Sequence, residues 1–322
     1  MHIISGADIN EKVLDRSVVT IGNFDGVHCG HSAIFAHLVQ QGISRSMPTV
    51  VVTFDPHPLK ILAPASAPQL ITTLKQKSDL IEKCGVDYLL VVHFTREFSQ
   101  MSAGDFVNQI LYKSLGMRHI IIGHDYAFGR GREGDFEMLQ QSGAINGFTV
   151  EDLPPIGNNG SVFSSSLART AIADGDMAFA KEILGRYYQI SGTVVHGRDI
   201  GHSLGFPTAN ISTVNELLPS DGVYAVIVQV DGDLVKGACN IGFNPTFGGI
   251  ERSVEVFLLD YAADIYNHEI SLQFVHRLRA EKKFSDTAAL KSAIVENVAA
   301  TRQILEGLSV KFSISESKCA IN

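Results

Sequence analysis

The sequence predicts two folded bodies of different class. The first is α/β with a parallel sheet; the second is an antiparallel barrel or sandwich followed by a terminal helix. Two patterns carry this prediction. In the first half, short β-rich runs alternate with segments of helical spacing, the signature of βαβ units. In the second half, strand-like runs follow one another with turn signals and little helix. The change of class falls near residues 185–189, and a chain of 322 residues has room for two domains.

The elements read in order as follows. "SVVTIG", "PTVVVTF", "DYLLVVHF", "RHIIIG" and "FTVEDL" are the strands of the first half. Their near-continuous apolar character fits a sheet covered on both faces. Between them lie helical spacings at Ile34, Leu38 and Val39, at Leu74, Leu80, Ile81 and Cys84, and at Phe106, Val107, Ile110, Leu111 and Leu115. One last helix is expected from about Ser165 through "LARTAIADGDMAFAKEILG". In the second half, "YAVIVQV" runs into Asp231-Gly232, a hairpin signal. "LVKGACNIG", "SVEVFLLDY" and "EISLQFVHRLR" follow as strands. A terminal helix is expected over roughly 286–308, with Leu290, Ile294, Val298, Ile304 and Leu305 near one face. The expected domains are therefore 1–185 and 186–310, followed by a polar tail at 311–322.

Composition narrows the class. The chain is 45% hydrophobic and 19% charged, with a net charge of −8. Both halves are net acidic, which argues against nucleic acid as a main partner. No stretch approaches the ~20 apolar residues that span a bilayer, so no membrane association is expected. "MHIISGADINEK" turns polar too early for a secretory signal. Cys29, Cys84, Cys239 and Cys319 form no C-x-x-C pair and read as reduced thiols, pointing to a cytoplasmic protein.

The chemistry begins in "IGNFDGVHCGH", residues 21–31. It sits at a strand-to-helix turn, where first-turn N–H groups lack intrahelical partners and the helix dipole is positive. That combination binds anions. Gly22 and Gly26 allow a sharp turn. His28 and His31, one helical turn apart, face the same side, and Gly30 between them leaves room for a nucleotide against the backbone. Two imidazole donors at a helix start suit the α- and β-phosphates of a nucleoside triphosphate. Taken alone, H-x-x-H also describes two surface or core histidines, or a metal pair, although no third ligand cluster is evident.

H-x-G-H is the signature of nucleotidyltransferases that transfer AMP or CMP, and of class I aminoacyl-tRNA synthetases. The chain is acidic and has no K-M-S-K-S-like loop, which weighs against the synthetases. "GNFDGVHCGH", "TFDPHP" at 53–58, "IIGHDYAFGRGREGD" at 121–135 and "FSSSLARTAIADGD" at 163–176 together resemble the adenylyltransferase half of the prokaryotic riboflavin kinase/FAD synthetase family. The resemblance covers essentially all of 1–185. It implies a Rossmann-like nucleotidyltransferase domain. It also implies that His28, His31 and Arg169 act in catalysis, and that Gly22, Phe24, Gly30, Ser164, Ser165 and Ser166 bind ATP. Chemistry agrees for the last segment: serine caps a helix start, and an arginine one turn inside reaches a phosphate bidentately. Ser166 stands where the family usually has threonine, which keeps a hydroxyl. Ala168 stands where a larger apolar residue is usual. "HDYAFG" resembles the family's flavin-side loop and implies Asp125 and Phe128 as flavin-binding residues; Asp125 reads equally as a turn-forming acid. "TFDPHP", with a proline on each side of His57, is an extended loop or a ligand contact.

In the second half, "GRDIGHSLGFPTANI" at 197–211 resembles the riboflavin kinase motif. The resemblance implies a phosphate loop containing Gly201 and Gly205, with Thr208 and Asn210 holding Mg²⁺–ATP. Neutral oxygen ligands suit that ion. "PTAN" alone would pass for an ordinary turn. "NIGFNPTFGG" and residues 253–284 extend the likeness. It implies Glu255 as the general base toward the riboflavin hydroxyl, and Arg277 and Arg279 beside the flavin. By alternation with Val254 and Val256, Glu255 also reads as an outward-facing strand residue. Asn267 stands where glycine is common, and asparagine tolerates left-handed backbone. The implied whole is a C-terminal antiparallel β-barrel kinase domain with a terminal helix behind the α/β domain. ATP is the expected co-substrate, riboflavin, FMN and FAD the flavins, and Mg²⁺ the ion. A monomer or weak homo-oligomer is the expected state.

Overall fold

The computed structural model describes residues 1–5, 11–123, 126–158, 160–197, 205–246 and 249–308. Two compact units divide between Ser165 and Ser166. In the first, six parallel strands form one sheet: β1 (His2–Ser5), β2 (Ser17–Ile21), β3 (Thr49–Asp55), β4 (Tyr88–His93), β5 (Met117–Gly123) and β6 (Thr149–Leu153). Their order is β1-β4-β3-β2-β5-β6. The five expected strands are present, and β1 is added at the edge, in register with β4. Two helices were not read from the sequence: α2 (Pro58–Leu62) and α5 (Phe136–Asn146).

The apolar strand runs are explained by cover on both faces. Val19, Val50, Val52, Leu90, Ile120 and Ile122 face one core, shared with Phe106, Val107, Ile110 and Leu111. Those four belong to a π-helical segment, Phe106–Ser114, which continues α4 (Ala103–Asp105). Val18, Val51, Leu89 and Ile121 face the other core. There they meet Phe35 and Leu38 of α1 (Cys29–Arg45) and Ile81 of α3 (Leu74–Lys83). Fully burying such side chains contributes about 1.5–3 kcal/mol each.

Strand order reverses beside β2. The chain leaves β2 for β3 on one side and later returns to β5 on the other. Ligands of open α/β sheets bind outside the strand carboxyl ends at such a switch point. The loop 22–28 follows β2 there, and residues 126–129 come after β5.

A short antiparallel ribbon, β7 (Gly157–Asn158) and β8 (Ser161–Val162), precedes α6 (Ser165–Asp174), which belongs to the second unit from Ser166 on, and α7 (Met177–Leu184) follows. The single helix expected here is two. Gly175 takes φ +78° and Asp176 caps α7, its carboxylate accepting from Phe179 N at 3.0 Å. Six antiparallel strands then close a barrel: β9 (Tyr188–Val195), β10 (Thr208–Thr213), β11 (Gly222–Val230), β12 (Asp233–Thr246), β13 (Gly249–Leu258) and β14 (Glu269–Ala280). The order is β10-β13-β12-β11-β14-β9, with β9 pairing β10 to complete the ring. The hairpin at Asp231-Gly232 has both residues at positive φ, +49° and +89°. Asn267 is left-handed at +66°. Strand β11 is buried almost throughout because α8 (Thr287–Glu306) covers its outer side, with Leu305 packed on Ala225 and Ile227. The tail at 311–322 lies outside the described residues.

Candidate functional sites

Loop 22–28 is buried except at Asn23. Its backbone turns through three left-handed residues: Phe24 at φ +48°, Gly26 at +79° and Val27 at +40°. For Val27, β-branched, that conformation is a genuine outlier. Gly22 N donates to Val52 O at 3.1 Å, and a Cβ on Gly22 would come within 2.8 Å of the Phe24 ring. Phe24 lies edge-on to Phe35 at 4.8 Å and to His31 at 5.1 Å. The loop is therefore packed from inside by its own aromatic ring.

His28 ends the loop as the N-cap of α1, its Nδ1 accepting from Gly30 N at 3.1 Å. An acceptor Nδ1 places the proton of the neutral ring on Nε2, so Nε2 is the donor nitrogen of His28. The ring of His31 stacks on that of His28, centroids 3.6 Å apart and planes at 26°. The one-turn spacing thus brings the two imidazoles together at the helix start. The His28 ring packs close to Gly30, where an added Cβ would come within 3.0 Å of His28 Cε1, so a residue without a side chain fits there.

Ser164 and Ser165 are half-buried, and Ser165 Oγ donates to Asp25 O at 2.9 Å. The serine-rich segment is thereby bonded to the histidine loop within the first unit. Ser166 and Arg169 lie further along α6, in the second unit, exposed and half-buried respectively. "TFDPHP" leaves β3 with a cis Asp55–Pro56 bond. His57 then caps α2, Nδ1 accepting from Leu59 N at 3.2 Å. Phe128 is 5% exposed, parallel to Tyr126 at 6.0 Å and 5.8 Å from Phe106. Asp125 lies outside the described residues.

On the barrel, register does the assembling. Glu255 pairs with Asn210 on β10 and with Asn240 on β12, so three polar side chains stand in a row on one face. Val254, Val256, Cys239 and Ile241 point to the buried side between them. Glu255 is accordingly on the outer face, as its alternation reads, and it is half-buried. Burial pushes the Cys239 thiol up from its usual value, and the negative charge of Glu255 adds to the shift. Thr208, two residues from Asn210, shares its side of β10. "PTAN" is therefore a strand start, not a turn. The Asn210 carboxamide lies where a Cβ on Gly197 would be. Gly205 takes φ +85° on the exposed approach to β10, and Gly201 lies outside the described residues.

Arg277 and Arg279 make bonds within the second unit. Arg277 donates to Asp221 O at 2.7 Å and to Asp174 O at 3.2 Å, tying the end of α6 to the barrel. Arg279 donates to Asn297 Oδ1 at 3.2 Å on α8 and stands over the Phe284 ring at 5.4 Å. Sequence reasoning passed over Asn240. Its signal was available: one polar residue between buried neighbours in "GACNIG". Nothing in the sequence, however, set it opposite Glu255.

Comparison with known proteins agrees with both halves. Residues 10–167 match the FAD synthetase family and residues 184–305 the riboflavin kinase family. The bifunctional riboflavin kinase/FMN adenylyltransferase of Escherichia coli (strain K12) is 39% identical over 305 residues, 94% of this chain and 97% of that protein. That of Pseudomonas fluorescens is 40% identical over 288 residues, 89% and 92% of the two chains. A crystal structure titled as a macrolide-efflux protein from Streptococcus pneumoniae superposes with a TM-score of 0.83 at 28% identity, over 96% of this chain and all of that one. In this protein, no helix among the described residues is long and apolar enough to cross a membrane. With a parallel sheet carrying the histidine pair, a closed barrel carrying Glu255, and these relatives along nearly its whole length, the chain belongs to the bifunctional riboflavin kinase/FMN adenylyltransferase family.

Proposed function

We propose that the chain makes FAD in two steps at two sites: riboflavin and ATP give FMN and ADP, then FMN and a second ATP give FAD and pyrophosphate. In this reading adenylyl transfer belongs to 1–185 and phosphorylation to 186–310. The stacked His28–His31 pair at the start of α1 carries the reading of the first site.

At that site a phosphate oxygen of FMN attacks the α-phosphorus of ATP, and the bond to the pyrophosphate oxygen breaks. His28, through Nε2–H, and His31 stabilise the negative charge that develops. Ser164, Ser165, Ser166 and Arg169 hold phosphates; Gly22, Phe24 and Gly30 shape the nucleotide cradle; Asp125 and Phe128 serve the flavin side. No covalent protein intermediate is required.

On the barrel, Glu255 takes the proton of the riboflavin 5′-hydroxyl as its oxygen attacks the γ-phosphorus and ADP leaves. Gly201 and Gly205 belong to the phosphate loop, and Arg277 and Arg279 to the flavin side. Thr208 and Asn210 present oxygens on one side of β10 beside the Glu255 carboxylate, a hard-oxygen set that fits Mg²⁺. When bound, the ion would neutralise phosphate charge. A cytoplasmic protein, monomeric or weakly self-associating, completes the proposal.

The test is a time course with purified protein, riboflavin, ATP and Mg²⁺, products separated. FMN appearing first and FAD after it supports the reading. FMN alone, FAD only from supplied FMN, or neither overturns it.

A further inference from the structure

Helix α3 carries a lysine that its amphipathic pattern does not explain. Lys77 is 8% exposed, and its ammonium points away from water into the base of the histidine loop. Nζ donates to Asn23 O at 3.2 Å and to Thr53 Oγ1 at 3.1 Å. Thr53, fully buried on β3, passes its own proton to the same carbonyl at 3.1 Å. One backbone oxygen of the loop is therefore gripped by two donors that are bonded to each other.

The grip meets a loop under strain. Phe24, Gly26 and Val27 all have positive φ, a state that costs of order 1–3 kcal/mol per unfavourable residue and persists only where surroundings over-determine it. The surroundings come from the segment leading into α3. The Asp25 carboxylate accepts from Ile71 N at 3.1 Å and from Thr72 N and Oγ1 at 3.2 Å. Thr72 Oγ1 also accepts from Gly26 N at 3.2 Å. Residues 71–77 thus hold Asn23, Asp25 and Gly26 at once, immediately before His28.

We propose that Lys77 is a positioning residue for adenylyl transfer: through Asn23 O and Thr53 it fixes the strained loop that sets the height and tilt of the His28–His31 pair. It touches no substrate. Burial lowers its pKa, and the nearby carboxylates of Asp25 and Asp55 oppose that shift. A buried ammonium is tolerated only where such partners compensate it. A lysine kept there at that cost marks a demand for its charge-assisted bond to the loop.

The inference rests on the adenylyltransferase reading of this unit. Lys77→Met keeps the apolar stem and deletes the ammonium. In full-length protein, well below its melting temperature, kcat for FMN adenylylation falls about tenfold or more, toward the ~100-fold that a 1 Å misplacement costs. KM for ATP stays nearly unchanged, as for an interaction expressed in the transition state. Riboflavin kinase turnover of the same molecules is unaltered. Thr53→Val acts on the same carbonyl, so the double variant loses little more than either single one, the non-additivity of groups that share a partner. Unchanged kcat in folded Lys77→Met, or strictly additive losses, overturns the proposal. If Lys77→Met does not fold, Thr53→Val decides alone: a kcat loss of about tenfold supports it, and normal kcat overturns it. Wild-type protein that makes no FAD from FMN would instead overturn the adenylyltransferase reading.

Discussion

His28 does two jobs in this structure, and they can be separated. Nδ1 accepts from Gly30 N and caps the 17-residue helix α1, which leaves the proton of the neutral ring on Nε2 as the donor that the cradle reading uses. Losing an N-cap costs about 1 kcal/mol, which lowers the melting temperature of a unit of this size by about 2–4 °C. Losing a donor to a transition state costs about 100- to 1,000-fold in kcat. His28→Ala removes both. His28→Asn removes the imidazole but keeps a side-chain oxygen that accepts from the same N–H, since asparagine is among the best caps. The expected pattern is a lowered melting temperature for His28→Ala only, and an equal loss of FMN adenylylation in both variants. Riboflavin phosphorylation by the same samples continues at the wild-type rate and controls for concentration. Adenylylation and melting are followed by product separation and by scanning calorimetry. If His28→Asn retains adenylylation within a few-fold of wild type, the ring is a cap and nothing more, and the cradle reading of this helix start is refuted.

Two further outcomes follow from the same geometry. Glu255→Gln preserves size and the row with Asn210 and Asn240 but cannot take a proton, so riboflavin kinase turnover drops by about 100- to 10,000-fold while supplied FMN is still adenylylated. Normal kinase turnover in that variant shows that Glu255 is not the base. His119, buried on β5, bonds Glu151 Oε2 at 3.1 Å and Thr149 Oγ1 at 2.7 Å, and Glu151 also holds His37 of α1 at 2.7 Å. Burial, assisted by Arg45, lowers the His119 pKa below its ordinary value, with Glu151 opposing. The folded state then binds the proton less readily than the unfolded chain. This contribution is intact above the ordinary histidine range and is lost as pH falls below about 6.5. Melting curves of the first unit between about pH 7.5 and 5 should flatten in His119→Gln relative to wild type; an unchanged slope counts against the assignment.

Much of this protein was legible in its sequence. The strand runs of the first half are apolar on both faces, and Val18 and Val19 do pack into opposite cores. The spacing of His28 and His31 was enough to place their rings together, because one helical turn is a local rule. Asp231-Gly232 made its hairpin for the same reason: the turn needs positive φ at two successive residues and little else. Strand β1 was not legible. Four residues become a strand only through their pairing with β4. The helix expected from Ser165 onward broke at Gly175, where Asp176 offered a new cap.

What the amino-acid order determined by itself was local: element type, the imidazole pair, the two motif sets and the change of class between halves. Tertiary structure alone decided the rest. Glu255 and Asn240 stand side by side only because β12 and β13 pair in one register, and a slip of one residue would turn each to the other face. Lys77 looks like any polar residue on an amphipathic helix until the fold closes over it. Its ammonium then finds a carbonyl 54 positions away in the chain. Burial and register are properties of the assembled chain, so no window of sequence contains them.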